Sequence, residues 1–147
     1  DVAVFIFFGL VAVNLTYYVQ ALHFCIEVFW GSVAIGLLSV NILMVNNYRD
    51  VEADRLSGKK TVVVRFGHTF ARYAYLFNGV VALLCTVDIW FSYNFWSIGA
   101  AILFFCVHII TWRQMCILKG TALNPVLGKT ARNLLIFTIF LSIFLIL

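Results

Sequence analysis

Hydrophobic positions in this chain run in long, nearly unbroken stretches, divided by two short clusters of charge. They show neither the stripe of a surface helix nor the alternation of a half-buried strand or a membrane barrel. Runs of this kind satisfy their backbone groups inside a bilayer by forming helices. Five stretches read as spans: 2–22, 28–45, 73–91, 95–112 and 133–147. The stretch 28–45, at 1.5 Å per residue, nearly matches a hydrocarbon core of about 30 Å. The expected fold is all-α, a polytopic transmembrane helical bundle.

Composition agrees, because a chain that is 64% hydrophobic and 11% charged is neither a water-soluble domain nor a disordered one. The net charge of +4 concerns topology rather than nucleic acid, since every Lys and Arg lies between Arg49 and Arg72 or between Arg113 and Arg132. With five spans both groups fall on one side, which the positive-inside rule makes cytoplasmic, and the connections near Glu27 and at 88–94 face outward. Trp30, Trp90, Trp96 and Trp112 fall near span ends and are expected at the membrane interfaces. Cys25, Cys85, Cys106 and Cys116 lack paired spacing, so neither a disulfide framework nor a zinc site is expected. His23, His68 and His108 form no cluster, and His108 is expected as a hydrogen-bonded core group.

The stretch Asn46 to Gly67, NNYRDVEADRLSGKKTVVVRFG, gathers half of the charged side chains of the chain. If the second span continues into it as a helix, Asn46, Asp50 and Asp54 fall within an arc of about 80°, with Asn47 beside it. Glu52 points to the opposite side and Arg49 falls off this face, which leaves the role of Arg49 open. Two carboxylates one turn apart plus an amide oxygen suit Mg²⁺. Lys59, Lys60 and Arg65 follow, with Gly58 as a break, so metal ligands precede a flexible basic loop. That pairing suits a diphosphate. In most proteins such charges are a solvated helix end. Here they interrupt membrane-like sequence, where ionisable groups are costly and functional.

Other polar residues carry weaker signals. Tyr17, Tyr18 and Gln20 lie near the outer end of the first span, where tyrosines anchor at the interface. Asn14 and Asn41 are expected to bond to neighbouring helices, with substrate-cavity lining as the alternative for Tyr17, Tyr18, Gln20, Asn41, Asn47 and Arg49. Ser32, Gly36 and Ser39 keep one face of the second span small enough for close helix contact. The loop 114–128, with Lys119 and Lys129 between Arg113 and Arg132, is expected either to set topology or to cover the mouth that holds the motif.

The motif resembles the second aspartate-rich motif of the UbiA-type intramembrane prenyltransferases, D/N-x-x-x-D-x-x-x-D followed by a Gly-Lys-Thr/Ser loop. The doubled asparagine, the Arg-Asp step, GKKT and V-R-F-G are similar to the menaquinone branch, as are TYYVQ in the first span and LNPVLGKTARN before the last. The resemblance implies a nine-helix fold in which two aspartate-rich helix ends face each other across a cytoplasmic mouth in the inner membrane. This chain would then be the last five spans of a longer protein, with a missing amino-terminal half as its partner. It also implies Mg²⁺ held by Asp50 and Asp54 with help from Asn46, and a polyprenyl diphosphate held first by Lys60, then by Lys59 and Arg65. The polyprenyl group would pass to an aromatic acid, 1,4-dihydroxy-2-naphthoate, with another acceptor such as 4-hydroxybenzoate as the alternative. A secondary transporter fragment fits less well, because its D-R-x-G loop spacing does not match Asp54, Arg55 and Gly58. A noncatalytic scaffold explains the spans and leaves the shared polar face unexplained.

Overall fold

The computed structural model describes residues 1–92 and 94–146. Tyr93, in the expected outer connection, and Leu147, at the end of the last expected span, lie outside the described residues. Among the described residues all regular structure is helical: α1 (Val2–Ala21), α2 (Ile26–Arg49), a short α3 (Val51–Leu56), α4 (Val62–Cys85), a short α5 (Val87–Ser92), α6 (Asn94–Ile117), a 3-10 turn (Gly120–Leu123) and α7 (Asn124–Ile146). The all-α bundle expected from the hydrophobic pattern is what forms.

Four segments are long and apolar enough to cross a membrane: Val2–Ala21, Ile26–Arg49, Phe95–Ile117 and Gly120–Leu145. In place of the expected third span, 73–91, stands α4, which starts at Val62, is kinked at Gly67 (φ 82°, ψ 174°) and ends at Cys85. Its first half carries Arg65, His68 and Arg72, which dilute its apolar character. Thr86 then leaves helical geometry (φ −113°, ψ 16°) and separates α4 from α5. The other boundaries shift as well: α2 continues to Arg49, and α7 starts at Asn124, which shortens the loop expected over 114–128. Hydropathy stops at a charge, whereas a helix does not, because Arg and Lys are good helix formers whose long stems carry the charge to water.

α2 is the central element, packed against α1, α4 and α7, while α6 closes onto α4 and α7. Its contact with α1 depends on small residues: a Cβ added to Gly9 would stand 2.5 Å from the Gly36 Cα. Ser32 on the same small face accepts a 2.6 Å hydrogen bond from Asn14 Nδ2. Across the other face, Asn41 Nδ2 donates to the Tyr75 carbonyl at 3.0 Å, and Asn78 Nδ2 donates to Asn41 Oδ1 at 2.9 Å. His108 stacks on Tyr75 and reaches the same carbonyl through Nε2, at 3.2 Å, in space that the missing side chain of Gly79 leaves open. These bonds join α2, α4 and α6, so His108 is the core group expected and Asn41 is interhelical.

Apolar clusters lie on either side of this polar layer. The one at the motif end includes Met44, Val45, Tyr48, Val63, Met115, Leu123 and Val126, and the one at the far end includes Leu38, Trp90, Phe104, Phe137 and Leu141. Trp30 and Trp96 are exposed, in keeping with interface positions. Trp90 departs from the expectation, because its indole N–H is satisfied by Thr86 Oγ1 at 2.7 Å and the ring is buried against Phe137. Trp112 departs too, half-buried and donating to the Arg72 carbonyl at 2.9 Å.

Candidate active site

The site is built where α2 ends. Asp50 leaves helical geometry (φ −97°, ψ 11°), yet the hydrogen-bond ladder continues through it, from Asp50 N to Asn46 O at 3.1 Å and from Asp54 N to Asp50 O at 2.8 Å. The helix therefore bends at one residue, and α3 carries on in nearly the same register. It ends at Ser57, whose N–H reaches the Ala53 carbonyl, and Gly58 takes the left-handed conformation (φ +73°) that a residue with a Cβ disfavours. The chain turns back, and the Lys59 N–H closes on the Asp54 carbonyl at 2.9 Å. Thr61 then caps α4 by accepting from the Val64 N–H at 3.3 Å. In this way the GKKT sequence becomes a tight basic loop between two helix ends.

The carboxylates occupy different surroundings. Asp50 is half-exposed and held at both oxygens by Arg49, from Nε to Oδ1 and from Nη2 to Oδ2, each at 2.7 Å. The Arg49 guanidinium holds the Asp50 carboxyl below the usual carboxylate range, with Lys59 adding to the effect. Asp50 is therefore ionised at neutral pH, as a cation ligand must be. Asp54 is 5% exposed, and its Oδ1 accepts from the Lys59 ammonium at 3.0 Å. Glu52, 75% exposed at its side chain, lies at the surface with Arg55 at 3.7 Å, whereas Asp54 is buried.

Arg49, which the sequence left without a role, is the hub of the site. Nη2 also donates to Asn46 Oδ1 and Nη1 to Asn124 Oδ1, both at 2.9 Å. The bend at Asp50 alters the ideal helical arc, and the flexible stem of Arg49 wraps back along the helix end. Asn124, the first residue of α7, is a contact that sequence reasoning missed; the signal available was its place in the LNP run of the loop expected over the mouth. Lys129, which flanks that loop, bonds elsewhere, donating to Gln114 Oε1 at 2.8 Å. Beneath the site, buried Tyr48 accepts from Arg72 Nε at 2.8 Å and packs edge-on against His68. Neither Tyr48 nor Arg72 stood out in the sequence.

Lys60 and Arg65 are exposed near the loop, and Asn47 is buried. Tyr17 and Gln20 lie elsewhere, lining a cavity of about 650 Å³ with Thr16, Gly31 and Leu141 at the far end of the bundle. From Gly31 to Asp50 the helical rise is roughly 28 Å. Tyr17 is held there by His23 Nε2 at 2.9 Å, and Tyr18 is exposed. The structure thus leaves Tyr17, Tyr18 and Gln20 out of the motif's site, and Asn41 lies in the interhelical layer. Asn46, by contrast, stands at the edge of an apolar cavity of about 360 Å³ formed by Val4, Phe8, Ile42, Leu43, Leu127 and Leu134.

Among the described residues no three His, Cys, Asp or Glu side chains are placed to share a metal ion. The donor set that is present is nevertheless suited to Mg²⁺. Asn46 Oδ1 and both Asp50 oxygens converge on one guanidinium at 2.7 to 2.9 Å, and Asp54 draws an ammonium. All donors are hard oxygens already gathered about positive charge, and Mg²⁺ fills its remaining positions with water and phosphate oxygens.

The sequence of the UbiA prenyltransferase family, taken as a family model, matches residues 1–124. The chain belongs to the UbiA prenyltransferase family. The 1,4-dihydroxy-2-naphthoate octaprenyltransferase of Escherichia coli (strain K12) is 32% identical over 141 residues, covering 92% of this chain and 45% of that protein. The enzyme of the same name from Haemophilus influenzae is 31% identical over 150 residues, covering 97% of this chain and 47% of its own length. That from Mycobacterium tuberculosis is 42% identical over 83 residues, covering 56% of this chain and 28% of its own length. The chain thus spans about half the length of the first two of these relatives. No solved structure matches it. Helices of this apolarity in a member of the UbiA family belong to a multi-pass membrane protein.

Proposed function

We propose that this chain is the carboxy-terminal half of a Mg²⁺-dependent prenyltransferase that moves a polyprenyl group from its diphosphate to 1,4-dihydroxy-2-naphthoate with loss of CO₂, giving the hydroquinone form of demethylmenaquinone. The observation that carries this reading is that one helix end gathers Asn46 and Asp50 about Arg49 and pairs Asp54 with Lys59, in the loop that also carries Lys60. The names of the relatives supply the acceptor and the class of group transferred, a polyprenyl chain.

In this reading Asn46, Asp50 and Asp54 hold Mg²⁺, whose charge makes diphosphate a better leaving group. Lys60 binds the diphosphate first, with Lys59 and Arg65 in support, and their positive charge stabilises the charge that develops as the allylic C–O bond breaks. The bonding pair leaves with diphosphate, the electron-rich ring forms the new C–C bond, and the ring carboxylate departs as CO₂ while its C–C electrons return to the ring. The apolar cavity beside Asn46 gives the first isoprene units a dry path away from the polar face. A long tail gains about 0.8 kcal/mol per buried CH₂, so the reaction is best run within the bilayer.

The acceptor is tested by offering the full-length protein in liposomes a labelled polyprenyl diphosphate with either 1,4-dihydroxy-2-naphthoate or 4-hydroxybenzoate. Label is expected in the naphthoate product, with release of CO₂. Transfer to 4-hydroxybenzoate alone would contradict the assignment.

With α4 crossing as a fifth span beside the four more apolar ones, both basic loops fall on one side, which the positive-inside rule makes cytoplasmic. In a background without native cysteines, Ser57→Cys and Thr121→Cys are both at exposed positions and are expected to react with an impermeant thiol reagent from the cytoplasmic side. Phe24→Cys, also at an exposed position, is expected to react from outside. Labelling of Ser57→Cys and Thr121→Cys from opposite sides would break the topology.

A further inference from the structure

Arg49 stands inside the motif but has no place in the ligand set proposed above. Its three guanidinium nitrogens are all engaged: Nε and Nη2 on the Asp50 oxygens, Nη2 also on Asn46 Oδ1, and Nη1 on Asn124 Oδ1. The oxygens suited to a divalent cation are therefore already wrapped around a positive charge. A cation bound at Asp50 needs the same lone pairs, and two positive centres sharing one carboxylate repel each other strongly when partly shielded from water. The guanidinium must give way. What holds it against leaving, apart from Asp50 and Asn46, is Asn124 at the start of α7, fixed in place by its fully buried neighbours Leu123 and Val126.

We propose that Arg49 is a positioning residue that stands in for the divalent cation at Asn46 and Asp50, exchanges with it, and is retained in the stand-in position by Asn124. Resting on the reading of Asp50 as a cation ligand, this explains why an arginine sits directly beside a metal-binding aspartate. Before loading, the fork keeps the mutually repulsive oxygens together in a usable arrangement. On loading, the contact between the motif and α7 through Asn124 is loosened, so cation binding is coupled to the start of the last helix. Arg49 does not touch Asp54, whose partner is Lys59.

The test is Mn²⁺ binding, followed by electron paramagnetic resonance, to the full-length protein in nanodiscs without prenyl substrate. Asp50→Asn is expected to abolish the site. Arg49→Gln, which removes the competitor, is expected to tighten it by about tenfold, the scale of a lost hydrogen bond to a charged group. Asn124→Ala changes no charge but removes one tie on the guanidinium, and is expected to tighten the site several-fold. A loss of structure would weaken binding, not strengthen it. If Asp50→Asn abolishes the site while Arg49→Gln and Asn124→Ala leave Mn²⁺ affinity unchanged or weaker, the exchange is wrong and the metal reading stands. Tightening in Arg49→Gln alone would reduce Arg49 to a local charge and also overturn the proposal. If Mn²⁺ binding does not depend on Asp50, the metal reading fails and the exchange fails with it.

Discussion

Replacing Asp50 or Asp54 by Ala in the full-length protein is expected to lower prenyl transfer at least about a hundredfold. A lost metal ligand removes charge stabilisation worth several kcal/mol, and a hundredfold corresponds to about 2.7 kcal/mol. The two positions differ in what else they do. Asp54 is buried and holds Lys59, so Asp54→Ala also leaves that ammonium without its partner. Asp54→Asn keeps the shape and an oxygen for Lys59 while removing the charge, and is expected to be nearly as damaging. Glu52→Ala removes an exposed acid whose partner, Arg55, lies 3.7 Å away at the surface, and is expected to change turnover by less than about twofold. Turnover measured at saturating Mg²⁺ and at limiting Mg²⁺ checks this, since a lost ligand costs more at the lower concentration. Equal damage from Glu52→Ala and Asp54→Ala would contradict the assignment of faces.

The second large effect concerns the chain by itself. Asn46, Asp50 and Asp54 supply few oxygens, and Mg²⁺ ions bridging to a diphosphate need more ligands than these. The 147-residue chain expressed alone is therefore expected to show no prenyl transfer. On the proposed reading of the chain as a carboxy-terminal half, co-expression with the amino-terminal half is expected to restore part of the Mg²⁺-dependent activity, because membrane helices inserted separately can associate through their packing faces. Substantial transfer by the purified chain alone would mean that its own oxygens suffice.

Much of the site was legible in the sequence because its parts are local. Asn46, Asp50 and Asp54 are spaced by one turn, and the backbone ladder preserves that spacing through the bend, so the separation of Glu52 from the other acids follows from periodicity alone. The glycine in GKKT announced the turn that returns Lys59 to Asp54. The centrality of Arg49 was not legible, for two reasons. The bend at Asp50 has no glycine or proline to mark it, and the fourth member of the cluster, Asn124, arrives from the far end of the chain. Span boundaries were misread for a related reason: a hydropathy scale ends a span at Arg72 or Arg132, while the helix continues with the charge carried on a flexible stem. Trp90 looked interfacial because its partner Thr86 could not be inferred from composition. Tyr17 and Gln20 lie at the outer end, as their place in the first span led one to expect, and line a cavity there rather than the motif's site.

The most direct measurement is equilibrium binding of a labelled polyprenyl diphosphate to the full-length protein in nanodiscs, with Mg²⁺ and with a chelator, for the native sequence and for Asp54→Asn. The account predicts saturable binding that requires Mg²⁺ and is weakened at least tenfold by Asp54→Asn, on the scale of one lost charge-assisted contact. Binding of equal strength in chelator, or binding that is indifferent to Asp54, would contradict the claim that this polar helix end is where the chain holds a metal and a diphosphate together.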